Sequence, residues 1–253
     1  MKTFNYKKLV INMVIFLVFV GIWQSYVTIS NVSDTIFPSA SSVGQFLYAN
    51  IVDGTFLNHF WITFVEAILG FLIGSAGGIL LAVFVAEIYW VKRLIHPYIL
   101  ASQAVPVIAL APLFIIWFGF GIPSKVALAV TIVFFPVLIN TITGLENADK
   151  AQIKLLKAYS ASGWQIFFRV KLPNALPYIF AGLEIAIVLS VIAAVVSEFM
   201  GAEGGLGYLI VIYNNQLNMA AQFSVFVLLA VIGIVFSYLI QLLTKKVVFW
   251  HEN

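Results

Sequence analysis

Residues 61–88 read WITFVEAILGFLIGSAGGILLAVFVAEI. Only Glu66 and Glu87 carry charge in this run, which exceeds the ~20 apolar residues that a helix needs to cross a bilayer. It does not alternate like the ~10-residue strands of an outer-membrane barrel. In lipid a spanning segment must satisfy its own backbone hydrogen bonds, so the run predicts a transmembrane helix. Five further runs follow the same logic: Leu9 to Tyr26, Ile95 to Phe118, Val126 to Ile142, Ala175 to Val196 and Phe223 to Thr244. The expected fold is all-α, with six transmembrane helices. Lys7 and Lys8 before the first run resemble the start of a signal peptide, but the run is long and no A-x-A-like site follows, so a retained span is expected.

Composition agrees. The 253 residues are 62% hydrophobic and only 9% charged, with a mean hydropathy of +1.07. A soluble domain carries about 25% charged residues, so a water-soluble fold is excluded. There is no cysteine, which removes disulfides, thiol nucleophiles and Cys-ligated zinc.

The basic residues sort by membrane side. With six spans, Lys2, Lys7, Lys8, Lys92, Arg93, Lys150, Lys154, Lys157, Arg169, Lys171, Lys245 and Lys246 share one side, and only Lys125 lies on the other. The positive-inside rule then places both termini in the cytoplasm. This sorting explains the net charge of +3 without nucleic acid as a partner.

The largest segment on the basic side, residues 143–172, mixes cations with aromatics. Helical numbering places Leu155, Leu156, Tyr159, Gly163 and Phe167 near one face, predicting an amphipathic helix that lies on the bilayer or docks into a partner. The third span contains Gln103 to Gly121, with Pro106 and Pro112 six residues apart. Each proline removes a backbone donor. Either the span is merely kinked, or it is a broken helix beside a solute path, where lipid does not touch the freed backbone. Gly70, Gly74 and Gly78 recur every four residues and predict close helix packing.

Three acids lie within spans, where ionisable groups are costly and mark candidate pathways. Glu184 is near the middle of the fifth span, and Glu198 near its outer end lies within about 40° of the same face. A carboxylate at Glu184 is expected to be paired or protonated, with no Lys or Arg at its depth. Glu66 reads as a pathway group or as a hydrogen-bonded packing residue. The glycine-rich segment 201–207 has neither the GK[ST] of a phosphate loop nor a preceding strand, so it reads as a turn beside the outer mouth. His59, His96 and His251 are scattered, and no metal-ligand spacing or nucleophile motif is present, so neither catalytic residues nor a metal site is expected.

Three stretches taken together resemble the permease subunits of bacterial ABC importers that use a substrate-binding protein. The first is Pro106-x5-Pro112-Leu113, then Trp117 to Gly121. The second is Lys157 to Pro173, then Pro177 and Gly182-Leu183. The third is Glu198-Phe-Met-Gly, then Gly205-Leu-Gly207-Tyr. The resemblance covers about residues 35–250 of what reads as one permease domain, 1–253, and is nearest to the branch for nitrate, sulfonates, taurine and vitamin precursors. It implies a type I importer permease fold. Residues 145–172 would form the cytoplasmic coupling loop, with Lys157, Ala158, Tyr159, Ser160, Ala161, Ser162, Gly163 and Trp164 against the ATPase. Pro106, Pro112, Glu184 and Glu198 are the candidates for the substrate pathway or gate.

The resemblance also implies partners: a second permease copy in a homodimer, two cytoplasmic ATPases that bind the ATP and Mg, and an extracytoplasmic binding protein, all at the bacterial cytoplasmic membrane. The permease itself is expected to be no enzyme. The sequence departs from the family at Ser160, where a glycine is usual, at Lys154-Leu155-Leu156 in place of EAA, at Val107, often Lys, and at Glu184, often basic. An acidic, low-dielectric path repels anions. This favours a pyrimidine or riboflavin-type vitamin precursor over a sulfonate, taurine or nitrate. A proton-coupled secondary transporter using Glu66 or Glu184 is the rival class.

Overall fold

A computed structural model describes residues 6–102 and 105–251. Lys2, Gln103 and Ala104 lie outside the described residues. Among the described residues the regular elements are helices, as the lipid argument requires. They are α1 (Tyr6–Ile29), α2 (Ala40–Val52), α3 (Thr55–Glu87), α4 (Tyr89–Ser102), α5 (Ala111–Phe118), α6 (Ile122–Glu146), α7 (Lys150–Ala158), α8 (Gly163–Ile166), α9 (Leu172–Phe199), α10 (Leu206–Asn215) and α11 (Met219–Val247). A π-helical turn over Phe167–Lys171 joins α8 to α9 in one continuous rod.

Five of the described helical segments are long and apolar enough to cross a membrane: Val10–Ile29, α3, α6, the rod Gly163–Phe199 and α11. The remaining expected span is broken. It begins at Tyr89, six residues before the apolar run, and α4 ends at Ser102. A short 3-10 turn, Val107–Leu110, then leads into α5. The two prolines act differently. Pro106 precedes the 3-10 turn, where its carbonyl accepts from Ala109 N–H at 2.8 Å. Pro112 sits in the first turn of α5, where a missing N–H breaks no intrahelical bond. The interruption therefore belongs to Pro106, and Pro112 starts the next helix.

The core is the packing of α3, α6 and α9, and the glycine stripe on α3 makes it possible. A Cβ at Gly70 would stand 2.3 Å from Ala129 Cβ, and one at Gly78 would stand 2.8 Å from the Phe134 carbonyl. Larger residues would force α3 away from α6. On the far side of the core, Phe56, Val137, Ile187, Leu206 and Ile232 fill the space among α3, α6, α9, α10 and α11. By contrast, α1 touches little. Trp23 Nε1 donates to the Pro38 carbonyl at 3.0 Å, and its ring packs with Phe37 and Phe223.

Candidate functional site

Three polar features of the bundle carry chemistry, and each sits at a different depth. The first is a buried knot at the end opposite the basic loop. His59, Thr63 and Glu66 recur at spacings of four and three, so α3 presents them on one face. The first N–H groups of α10 have no partner within their own helix. Gly205 N–H donates to His59 Nδ1 at 3.0 Å, Leu206 N–H to Thr63 Oγ1 at 2.7 Å, and Gly207 N–H to Glu198 Oε2. Thr63 Oγ1 in turn donates to Glu198 Oε1 at 2.7 Å.

The glycines in Gly205-Leu-Gly207 follow from this contact. Gly205 has φ of 107°, and a Cβ there would fall 2.2 Å from the Glu198 carboxyl. One at Gly207 would fall 2.6 Å from the Val195 carbonyl. The segment read as a flexible turn therefore leads into a backbone clamped by a carboxylate. Glu198 itself is 1% exposed.

Lys125 completes the knot. It lies at the end opposite the other cations and is buried, with its ammonium 3.0 Å from Glu66 Oε1. Among the described residues it is the buried cation of the bundle. It pairs with Glu66 and leaves Glu184 to find another partner.

The second feature is the basic loop. The continuous amphipathic helix expected there is two short helices around a turn. Asp149 Oδ1 caps α7 through Ala151 N–H at 2.7 Å. At its other end Ala161 N–H donates to the Leu156 carbonyl at 3.0 Å and Ser160 N–H to the Lys157 carbonyl at 2.9 Å. This pair of bonds is the Schellman ending, which places Ser160 in the left-handed region, at φ of 56°. The position where the family carries glycine is thus the one whose backbone favours it. Ser162 restarts the helix with a reciprocal cap: Gln165 N–H donates to Ser162 Oγ at 3.3 Å, and Ser162 N–H donates to Gln165 Oε1 at 2.8 Å.

Lys157 through Trp164 therefore form one tight elbow. Its side chains point outward: Tyr159 is 75% exposed and Trp164 73%. Trp164 stacks on Phe168 with centroids 5.5 Å apart. Beside it an apolar cleft of about 360 Å³ opens between α3 and the elbow, lined by Val83, Phe84, Ile88, Trp164 and Phe167. Lys171 Nζ holds Glu87 at 2.7 Å and Lys92 holds Glu146 at 2.7 Å, tying the elbow end of the bundle together.

The third feature lies between the other two. Glu184 is half-buried, and its Oε1 accepts from Gln241 Nε2 on α11 at 2.7 Å. Above it, α9 lines two apolar hollows. One, of about 290 Å³, is bounded by Pro106, Val107 and Ile108 from the break, Ile132 and Phe135 from α6, and Leu189 and Ile192. The other, of about 380 Å³, is bounded by Val188, Ile192, Leu229, Ala230 and Gly233. Pro106 thus lines a hollow beside α9, whereas Glu184 lines neither hollow and faces α11. Pro112 lies in α5, and Glu198 is enclosed in the knot. Although the helical wheel puts Glu184 and Glu198 near one face, the structure does not bring them together. Among the described residues no group of three or more His, Asp or Glu is arranged to hold a metal.

His59, Thr63, Lys125 and Gln241 were not singled out as site residues from sequence. For the first two a signal existed: the spacing of His59, Thr63 and Glu66 on one helical face. For Lys125 and Gln241 none did, because their partners are 59 and 57 residues away.

With this geometry in hand, comparison with known proteins is informative. The family described as "Binding-protein-dependent transport system inner membrane component" matches residues 74–249. The riboflavin transport system permease protein RibX of Chloroflexus aurantiacus is 34% identical over 91% of this chain and 86% of its own length. The formylaminopyrimidine transport permease protein ThiX of Halalkalibacterium halodurans is 34% identical over 81% of this chain and 82% of its own. Among solved structures, an inward-facing MetNI methionine ABC transporter chain superposes with a TM-score of 0.64 at 20% identity, covering 77% of this chain and 95% of that one.

Proposed function

The chain belongs to the family of binding-protein-dependent transport system inner membrane components, and on that premise we propose that it forms the path for a pyrimidine or riboflavin-type vitamin precursor, driven by partner ATPases. It is an ABC importer permease, with the helical fold of that class and several apolar spans. Hydrolysis belongs to a partner subunit.

The observation that best supports an ATPase partner is the elbow. Tyr159 and Trp164 are large, apolar and exposed on the most basic segment of the chain, while two caps and a Schellman ending hold the backbone rigid beneath them. Exposed aromatics on a rigid support mark an interaction surface. In this reading residues 145–172 face the cytoplasm, as do both termini, and Lys157 through Trp164 receive the motion of the ATPase. A second copy of the chain supplies the other half of the path, and an outside binding protein delivers the solute. Pro106, Pro112, Glu184 and Glu198 serve the path or its gate, Glu198 by holding the start of α10 in place. The substrate reading rests on two supports: the uncharged walls of both hollows, which disfavour sulfonate and nitrate, and similarity at 34% identity to a riboflavin and a formylaminopyrimidine transport permease.

Purification from the native host tests the reading. An ATP-binding protein co-eluting with the tagged chain, lost on Ser160→Arg, is expected. A chain that purifies alone and transports a solute down a proton gradient is instead a secondary transporter.

A further inference from the structure

Two features of the bundle are costly against lipid, and α9 runs beside one and carries the other. The first is the break between α4 and α5. Val105 and Pro106 carry non-helical backbone inside an apolar segment, and such backbone is tolerated only against protein or a water-filled path. The second is Glu184. It stands midway between Lys171 and Glu198 along the α9 rod, roughly 20 Å of helix from each, and a charged or strongly polar group at that depth is costly against hydrocarbon. The three ion pairs among the described residues leave it out, and its partner is the neutral amide of Gln241.

Along α9, Glu184, Val188 and Ile192 follow at spacings of four, so they form one stripe. Val188 and Ile192 line the hollow against α11, and Ile192 also lines the hollow against the break. The two hollows meet at Ile192 with walls that are aliphatic apart from Phe135, and the Glu184–Gln241 hydrogen bond lies one helical turn along α9 from Val188, across the same α9–α11 seam; hollows and pair together are termed the trough. The hollows, of about 290 and 380 Å³, are individually of small-ligand size.

We propose that Glu184 and Gln241 are the specificity-determining pair of this trough, recognising an uncharged planar nitrogen heterocycle through its ring N–H and C=O or ring-nitrogen groups. The proposal rests on the permease reading above and adds the residues that choose the solute. The amide and carboxylate already bonded to each other leave Glu184 Oε2 to accept from an N–H and the Gln241 amide to complement an acceptor. The apolar walls take the faces of the ring. A sulfonate or nitrate meets a carboxylate with no cation to offset it. A site built to hydrogen-bond its ligand discriminates against one that cannot complete those bonds.

The test is uptake by cells producing the complete importer, with riboflavin, 4-amino-5-hydroxymethyl-2-methylpyrimidine and ethanesulfonate as probes. ATPase co-purification is scored in parallel. The parent should take up at least one heterocycle and not ethanesulfonate. Glu184→Ala and Gln241→Ala should each lower heterocycle uptake by about tenfold or more, with co-purification unchanged. Glu184→Lys should abolish heterocycle uptake and admit ethanesulfonate.

Should the alanine variants fail to assemble, the exchanged variant Glu184→Gln/Gln241→Glu keeps the hydrogen bond and the charge. It should assemble with an altered preference between the two heterocycles. Assembled variants with uptake within about twofold of the parent, an unchanged preference in the exchanged variant, or a parent that imports only ethanesulfonate overturn the proposal. A parent without a co-purifying ATPase overturns the permease reading instead.

Discussion

The two ends of the bundle treat their side chains in opposite ways. At one end His59, Thr63, Glu66, Lys125 and Glu198 bring polar and charged groups inward, and their hydrogen bonds go to the chain itself. At the other end Tyr159, Trp164 and Phe168 turn apolar surface outward. An interior polar group without a partner is expensive. Apart from Glu66 Oε2, which is buried without a hydrogen-bond partner, the knot bonds within itself, and damage there is felt as instability of this chain. An exposed aromatic costs the isolated chain little, so the elbow's side chains make sense in contact with something else. One end is built for the fold and the other for an encounter.

The largest effect should come from splitting the buried ion pair. Lys125→Met leaves Glu66 buried and unpaired, with an expected loss of about 3–5 kcal/mol. Thermal unfolding in detergent, read by near-UV circular dichroism, checks it, and the Glu66→Gln/Lys125→Met double variant should recover most of the loss. A single variant as stable as the parent would show that the knot does not hold this end together.

Next comes the clamp on α10. Gly205→Ala adds a Cβ against the Glu198 carboxyl in a left-handed backbone, for an expected loss of about 2–4 kcal/mol. Part of it is steric, so the same substitution should cost less in a Glu198→Ala background, and a double-mutant cycle measures the difference. Equal costs in both backgrounds would remove the carboxylate as the reason for the glycine.

At the elbow the expectation reverses. Trp164→Ala should change the chain's own stability by no more than about 0.5 kcal/mol and yet abolish ATPase co-purification. Trp164→Ala that unfolds the chain and spares the complex would exchange the roles of the two ends. The smallest effect is a gain: Ser160→Gly relieves a left-handed residue and should stabilise the elbow by about 0.5–1 kcal/mol with coupling intact.

The asymmetry also explains what was legible in sequence. Hydropathy and helical period located the long spans, because both reflect interactions with solvent and near neighbours. The Gly70, Gly74, Gly78 stripe predicted close packing for the same reason, and α3 and α6 meet there. Lys157 to Trp164 could be read from a contiguous motif, and the structure gathers them in one elbow. That elbow was nevertheless misread as one helix, since the Ser160 turn is set by two backbone bonds and the Ser162 cap rather than by hydrophobic period. The helices α2 and α10 were unforeseen, as each is shorter than a membrane span. Lys125 falls at the end opposite the other cations, as the charge sorting expects, but its burial was not legible, because it depends on a carboxylate brought up by α3. Gln241 was invisible for a like reason: nothing in α11 signals that Glu184 lies across from it.

What meets the elbow in the cell decides whether it couples the chain to an ATPase. A photo-crosslinking amino acid at Tyr159 in growing cells should yield an adduct with an ATP-binding subunit, and Ser160→Arg should suppress it by setting a bulky charge in the joint. The same probe at Tyr48, exposed on α2 at the opposite end, should not capture that subunit. No adduct from Tyr159, or the same adduct from Tyr48, contradicts the assignment of the elbow as the place where ATP hydrolysis reaches the membrane.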